Sequence, residues 1–278
     1  MTNLRQIKKL SEKEELQLIE EYREGMSVNS LMVKYDFASR KSIIDKVKKH
    51  YPSEYKEITK EAKKNRKNYS INITKINCEF NAYFLGLMLS DGYIQDDNRF
   101  GIQLTDEDCI AFISEVTGKE YKAYEASEEN HLTQYRIIFS DSEQVKDLEK
   151  YGVTKNKSKI IPALNLDKDE EKYIPYIIRG IIDGDGCIYK TTLDTLAFFI
   201  ITASKDFAAW LKTVLEEKLY MKDIHITITT DGFYRVETAY YPNLLKLLVL
   251  VYDKPYGMNR KYELLRRMFR DYNEECLA

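Results

Sequence analysis

The chain has 278 residues and a mass of 32.8 kDa, with 44% hydrophobic and 32% charged residues. That balance supports a sizeable core and excludes global disorder. The longest apolar runs, such as 196–201 and 247–251, fall far short of the roughly 20 residues a spanning helix needs, which argues against a membrane protein.

The net charge of −2 conceals an asymmetry: residues 1–70 carry 17 Lys+Arg against 11 Asp+Glu, and the remainder 26 against 34. The opening MTNLRQIKKLSEKEE has no apolar stretch of a secretory signal. Cys78, Cys109, Cys187 and Cys276 form no CxxC pair, which excludes a zinc ribbon and fits a reducing, intracellular compartment, most simply the cytoplasm. His50, His131 and His225 are equally scattered, so a histidine-built metal site is not expected.

In chain order, Ser11 and Glu14 form a capping box ahead of an apolar stripe at Leu16, Leu18, Ile19 and Tyr22, and Gly25 ends that helix. A second run, Ser27–Tyr35, carries Val28, Leu31 and Met32. A turn at Asp36–Ala38 leads to Ser39–His50, with Ile43, Ile44 and Val47 inward and Arg40, Lys41, Lys46, Lys48 and Lys49 outward. Helix, glycine, short helix, turn and basic helix resemble a helix-turn-helix DNA-binding unit over residues 1–55, with Arg40, Lys41 and Lys46 as DNA contacts. A small bundle with a solvated basic face is the alternative. Residues 56–77, which include KKNRKN at 63–68, show little apolar periodicity and read as a basic linker.

The rest repeats itself. FLGLMLSDG at 84–92 matches IIRGIIDGDG at 177–186, so that Gly86, Asp91 and Gly92 align with Gly180, Asp185 and Gly186 at a constant offset of 94 residues. LTDEDCIAFISEV at 104–116 pairs with TASKDFAAWLKTV at 202–214, Tyr135-Arg136 with Tyr234-Arg235, and NKS at 156–158 with NRKY at 259–262. Alternation in RFGIQL, QYRIIF, TLAFFIIT, HITITT and FYRVET marks strands, and Asp231-Gly232 marks a hairpin turn. Each copy reads helix, two strands, helix, two strands, helix, with boundaries at 78–160 and 161–278. The expected fold class is α+β: pseudo-twofold tandem αββαββα repeats with two antiparallel sheets, plus a small N-terminal all-α domain.

A glycine inside a helix costs about 1 kcal/mol, so the aligned Gly86 and Gly180 predict close packing of the two motif helices. Gly92 and Gly186 suit left-handed helix caps. Asp91 and Asp185 sit at the negative end of a helix dipole and, brought together by the pseudo-twofold axis, repel each other. Divalent cations relieve both penalties and equip the pair for phosphodiester hydrolysis.

These paired motifs, and the αββαββα repeat around them, resemble the LAGLIDADG homing endonucleases over about two thirds of the chain. The resemblance implies that Asp91 and Asp185 bind Mg2+ or Mn2+ and that two four-stranded sheets lie over the major groove of double-stranded DNA. Basic residues near each repeat's end implicate Lys157 and Lys261 in stabilising transition-state charge or polarising the attacking water, and Gln103 in lying near the scissile phosphate. One face of the sheets offers Tyr93, Gln95, Arg99, Gln103, Lys122, His131, Gln134 and Arg136 from the first repeat. The second repeat offers Tyr189, Lys190, Thr192, Thr227, Thr229 and Arg235. The first motif departs from the second in having Leu89 and Ser90 where the second has Asp183 and Gly184, as expected of a monomer reading an asymmetric target. The implied activity is site-specific, metal-dependent double-strand cleavage in the service of intron homing. A non-cleaving transcriptional regulator on the same fold and an RNA-splicing maturase are the alternatives.

Overall fold

A computed structural model of the chain describes residues 10–26, 28, 31, 34, 35, 37, 40–69, 72–125, 132–191 and 196–277. They fall into two compact units, residues 1–71 and 72–278.

The described part of the first unit is helical: α1 (Glu12–Arg23), α2 (Arg40–His50) and α3 (Tyr55–Tyr69). The capping box forms as expected, with the Ser11 N–H donating to Glu14 Oε2 at 2.8 Å and Ser11 Oγ accepting from the Glu14 N–H at 3.4 Å. The buried stripe of α1 is Glu15, Leu18, Ile19 and Tyr22; Leu16 faces outward at 41% exposure. Position 15 shares the inner face because it lies three, four and seven residues before the others, and its carboxylate is neutralised by Lys46 and by Lys49 at 2.7 Å and is hydrogen-bonded to His50 Nε2 at 2.6 Å. Lys46 therefore points inward to Glu15 rather than outward. Of the Ser27–Tyr35 helix, Val28, Leu31 and Lys34 are helical and Leu31 is fully buried; the other positions, Met32 among them, lie largely outside the described residues.

The linker expected over residues 56–77 is instead helical as far as Tyr69. Tyr55–Tyr69 is a helix whose Ile58 and Ala62, four apart, are buried in the same core as Leu18, Ile43 and Val47. Two further bonds pin it to α1: Asn65 Nδ2 donates to the Arg23 carbonyl at 2.7 Å and Arg23 pairs with Glu61 at 2.8 Å. A seam only two apolar residues wide is hidden among lysines. The second unit then begins at Asn72, not at residue 78, because Ile73 and Ile76 are buried in its core.

In that unit each repeat contributes a motif helix, α4 (Glu79–Ser90) or α7 (Ile174–Asp185), and a four-stranded antiparallel sheet. The first sheet comprises β1 (Gly92–Asp96), β2 (Arg99–Leu104), β3 (Lys122–Tyr124) and β4 (Gln134–Ser140) in the order β1-β2-β4-β3. The second comprises β5 (Gly186–Lys190), β6 (Leu196–Thr202), β7 (His225–Ile228) and β8 (Tyr234–Thr238) in the order β5-β6-β8-β7. Apart from short single-turn segments, the remaining helices are α5 (Glu107–Thr117), α6 (Ser142–Lys150), α8 (Lys205–Glu217), α9 (Tyr241–Lys246) and α10 (Asn259–Leu277). The inner sheet faces, with Ile94, Phe100, Ile102 and Ile137 in one and Ile188, Phe198, Ile200 and Val236 in the other, join a single core with the motif helices. The predicted tandem αββαββα architecture is the observed one.

Candidate active site

The site is organised by the crossing of α4 and α7. A Cβ on Gly86 would stand 2.8 Å from Gly180 Cα and closer still to the Ile177 carbonyl oxygen. A Cβ on Gly180 would stand 2.7 Å from the Leu87 nitrogen. The glycines are therefore required by contact between the two helix backbones, as the repeat predicted. Gly92 and Gly186 are needed for a different reason from the one expected. Neither has a positive φ; Gly186 is extended at φ −93°. A Cβ on either would collide with its own motif helix, at Met88 Sδ (2.6 Å) or Ile182 Cα (2.6 Å), so glycine lets the strand leave the helix in tight contact.

The crossing delivers both helix C-termini to one place. A Cβ on Gly184, the neighbour of Asp185, would lie 2.6 Å from Asp91 Oδ2. The first motif's carboxylate thus leans on the second motif's backbone. Burial raises the Asp91 carboxyl above its usual range. Crowding by protein, followed by the charge of Asp91, pushes Asp185 up to about 7. Yet Asp91 is only half-buried and Asp185 is exposed, so both remain reachable from solvent. A crowded, accessible pair of like charges has a built-in affinity for cations.

Lys157 and Lys261 flank the pair, each nearly buried at 7% and 4% exposure. Lys157 arrives on a 3-10 turn entered through Asn156, whose left-handed φ of 58° suits asparagine. Its Nζ donates to the carbonyls of Ser90 (2.9 Å) and Gly92 (2.6 Å). Lys261, in the first turn of α10, donates to the carbonyls of Ile182 (2.6 Å), Asp183 (2.6 Å) and Gly186 (2.7 Å). Burial lowers the pKa of both, and neighbouring aspartates oppose that shift.

Sequence reasoning missed a buried network in α7. Asp183 is fully buried and accepts from Tyr83 Oη (2.9 Å), Tyr252 Oη (2.6 Å) and the Met258 N–H (3.2 Å). Arg179, also fully buried, lies 3.6 Å from it and donates to the carbonyls of Val251 (3.3 Å), Lys254 (3.0 Å) and Tyr256. Its guanidinium also stacks on Tyr252 at 4.1 Å. The pair fixes the 251–258 segment that leads into Lys261. The signal was present: the first motif has Leu85 and Leu89 at the matching positions.

The outer sheet faces carry most of the predicted contact residues. Register pairs Tyr93 with Gly101, Gln103 with Arg136, Arg136 with Lys122 and Gln134 with Tyr124, which places them on one face opposite Phe100, Ile102 and Ile137. Gln95 is exposed at the bulge in β1, and Arg99 pairs with Asp96. Arg136 donates to Gln103 Oε1 at 2.7 Å. In the second sheet Tyr189, Thr227 and Arg235 share the outer face, where Arg235 donates to the Tyr189 hydroxyl at 2.9 Å and stacks on Phe199 at 4.0 Å. Lys190 belongs to the other face: its cross-strand partner is the buried Leu196, because the alternation is offset by one from Tyr189. Thr229 lies just past β7, its hydroxyl accepting from the Phe233 N–H at 3.1 Å to close the Asp231-Gly232 turn. His131 and Thr192 lie outside the described residues, as does the side chain of Arg40; Lys41 is exposed.

Crossed motif helices, paired terminal aspartates and two outward sheet faces define a class: the chain has the LAGLIDADG fold. Among solved structures it is similar to the homing endonuclease I-WcaI bound to its DNA recognition sequence, with a TM-score of 0.52 and 16% identity over 72% of this chain and 92% of that one. Other matches include the LAGLIDADG meganuclease I-AabMI bound to uncleaved DNA (TM-score 0.46, 15% identity, 69% and 90% covered) and the N-terminal LAGLIDADG domain of DUF199/WhiA (TM-score 0.45, 12% identity, 73% and 94% covered). No family model and no curated protein matches the sequence.

Proposed function

We propose that the chain is a monomeric, site-specific endonuclease of the homing type that hydrolyses both strands of DNA at a long asymmetric target with Mg2+ or Mn2+. The observation that carries this reading is the juxtaposition of Asp91 and Asp185, one from each motif, accessible and crowded together at two helix ends. Their donor set fits the metal. Among the described residues no cluster of three His, Cys, Asp or Glu forms a full protein cage. Mg2+ prefers one or two carboxylates and completes its shell with water and substrate phosphate. When bound there, the ion supplies water activation and stabilises the departing oxygen.

The chain's own residues do the rest. Asp91 and Asp185 hold the cation, and the outer faces hold the duplex. Gln103, Gln134 and Arg136 present the hydrogen-bonding groups that read base edges, while Lys122 and Arg235 are suited to phosphate. Among the described residues no helix is long and apolar enough to cross a membrane. The N-terminal helices add contacts to flanking DNA through the exposed side of α2, without Lys46, which Glu15 holds.

The test is to incubate the full-length protein with a plasmid library and Mg2+ and to map the ends produced. Recurrent double-strand breaks at one sequence, lost with chelator, are expected. Sequence-specific retention of DNA with no cleavage in Mg2+ or Mn2+ would replace this reading with that of a non-cleaving regulator.

A further inference from the structure

The two lysines hold more than charge in place. Each belongs to one repeat, and each aims a buried ammonium at backbone carbonyls on both sides of the point where its own repeat's motif helix gives way to a strand. The last four carbonyls of a helix have no partner within it, and here the chain turns at once into β1 or β5. Lys157 spans this break, bonding Ser90 on the helix side and Gly92 on the strand side. Lys261 does the same between Ile182, Asp183 and Gly186. The residue bracketed in each case is the aspartate: Asp91 lies between Ser90 and Gly92, Asp185 between Asp183 and Gly186. In Lys261 the three ammonium protons are matched by three carbonyls.

We propose that Lys157 and Lys261 are positioning residues, each clamping the helix-to-strand turn that aims Asp91 or Asp185, and that they act on the cation site through this turn rather than by touching the scissile phosphate. The proposal rests on the metal-site reading above.

The two possible roles have opposite signs in metal binding. A lysine that acts only through its charge repels the cation, so Lys157→Met or Lys261→Met should tighten binding. Where a lysine sets carboxylate geometry, the same substitution should weaken binding, since loss of groups that orient metal ligands typically costs about 10–100-fold in affinity. The measurement is Tb3+ luminescence titration of the full-length protein without DNA. Weakening of about tenfold or more in both variants is expected; unchanged or tighter binding overturns the proposal. Lys157→Gln and Lys261→Gln, which keep amide donors without the charge, should fall between wild type and the Met variants. If a Met variant fails to melt cooperatively, the Gln variant is read by the same criterion.

A measurement on unaltered protein needs no variant. Protein carrying 15N-lysine should show two slowly exchanging ammonium signals, and their absence overturns the clamp. The Asp91→Asn/Asp185→Asn protein separates the two failures. If it binds Tb3+ like wild type, the metal-site reading falls; if it loses binding while the lysine variants bind tightly, only the clamp falls. In DNA cleavage, the clamp predicts that excess Mg2+ partly restores the lysine variants, whereas a lysine acting directly on the phosphate could not be replaced in this way.

Discussion

Replacing Asp183 with leucine would give the second motif the residue that the first has at Leu89. The substitution strands two buried donors, the Tyr252 hydroxyl and the Met258 N–H, and leaves the Tyr83 hydroxyl with only the Cys109 sulfur. It also leaves the Arg179 guanidinium fully buried without its carboxylate. Breaking a buried ion pair by removing one partner costs about 3–5 kcal/mol, so Asp183→Leu should destabilise the second unit by about 4 kcal/mol. Urea unfolding followed by the fluorescence of Trp210, the single tryptophan, reports that unit alone. With a slope of about 2 kcal/mol/M, the midpoint should fall by about 2 M.

The double variant Arg179→Leu/Asp183→Leu is the sharper test, because replacing an ordinary buried pair by apolar residues is often neutral or stabilising. Here the arginine also serves the carbonyls of Val251, Lys254 and Tyr256. Removing it leaves those acceptors stranded, at about 1–3 kcal/mol for each that water cannot reach. The double variant should therefore recover little of the lost stability. A double variant at least as stable as wild type would show that the network is only a compensated charge pair and does not hold the 251–258 segment.

Gly86→Ala and Gly180→Ala should each cost about 3 kcal/mol or more, since the added methyl meets backbone rather than a movable side chain; a smaller loss in thermal melts would mean the helices can separate. Asp91→Asn and Asp185→Asn should each abolish or strongly depress cleavage and keep specific DNA binding. Their metal-free stability should hold or rise as an anion leaves the helix C-terminus; near wild-type cleavage by both would end the metal-ligand assignment. Hydrogen bonds from Lys46, Lys49 and His50 hold Glu15 at about 2, below its usual 4.5. Its carboxyl pKa is depressed on folding, so its contribution is complete above about pH 4.5 and is lost as pH falls toward 2. NMR-monitored acid unfolding of residues 10–69 should show that loss, and Glu15→Gln should flatten it. Deletion of residues 1–71 should leave a cooperatively folding second unit, with weaker and less salt-dependent DNA binding if α2 contacts phosphates.

Much of this fold could be read in the sequence because it is written twice. The offset of 94 residues located both motif helices, and strand alternation located the sheets, with RFGIQL coinciding with β2. Period-two reasoning placed Gln103, Lys122, Gln134 and Arg136 on one face correctly, and failed at Lys190 through a single-residue offset. The helix at Tyr55–Tyr69 escaped because its buried seam is little more than Ile58 and Ala62.

The deeper failures share one cause. Periodicity scores hydrophobicity, and it therefore preferred Leu16 to Glu15 on the inner face of α1 and gave no role to Arg179 or Asp183. A buried charge is stable only with partners, and those partners are remote in sequence: 31–35 residues away for Glu15 and 69–100 for the hydroxyls on Asp183. No local window contains that information. An internal repeat supplies part of it, because each copy is a reference for the other. Where the second motif sets Arg and Asp against the first motif's Leu85 and Leu89, four residues apart on a helix that must be buried, the two polar residues have to find each other and further partners inside the core. The asymmetry of the site was thus implied by the sequence even though its geometry was not.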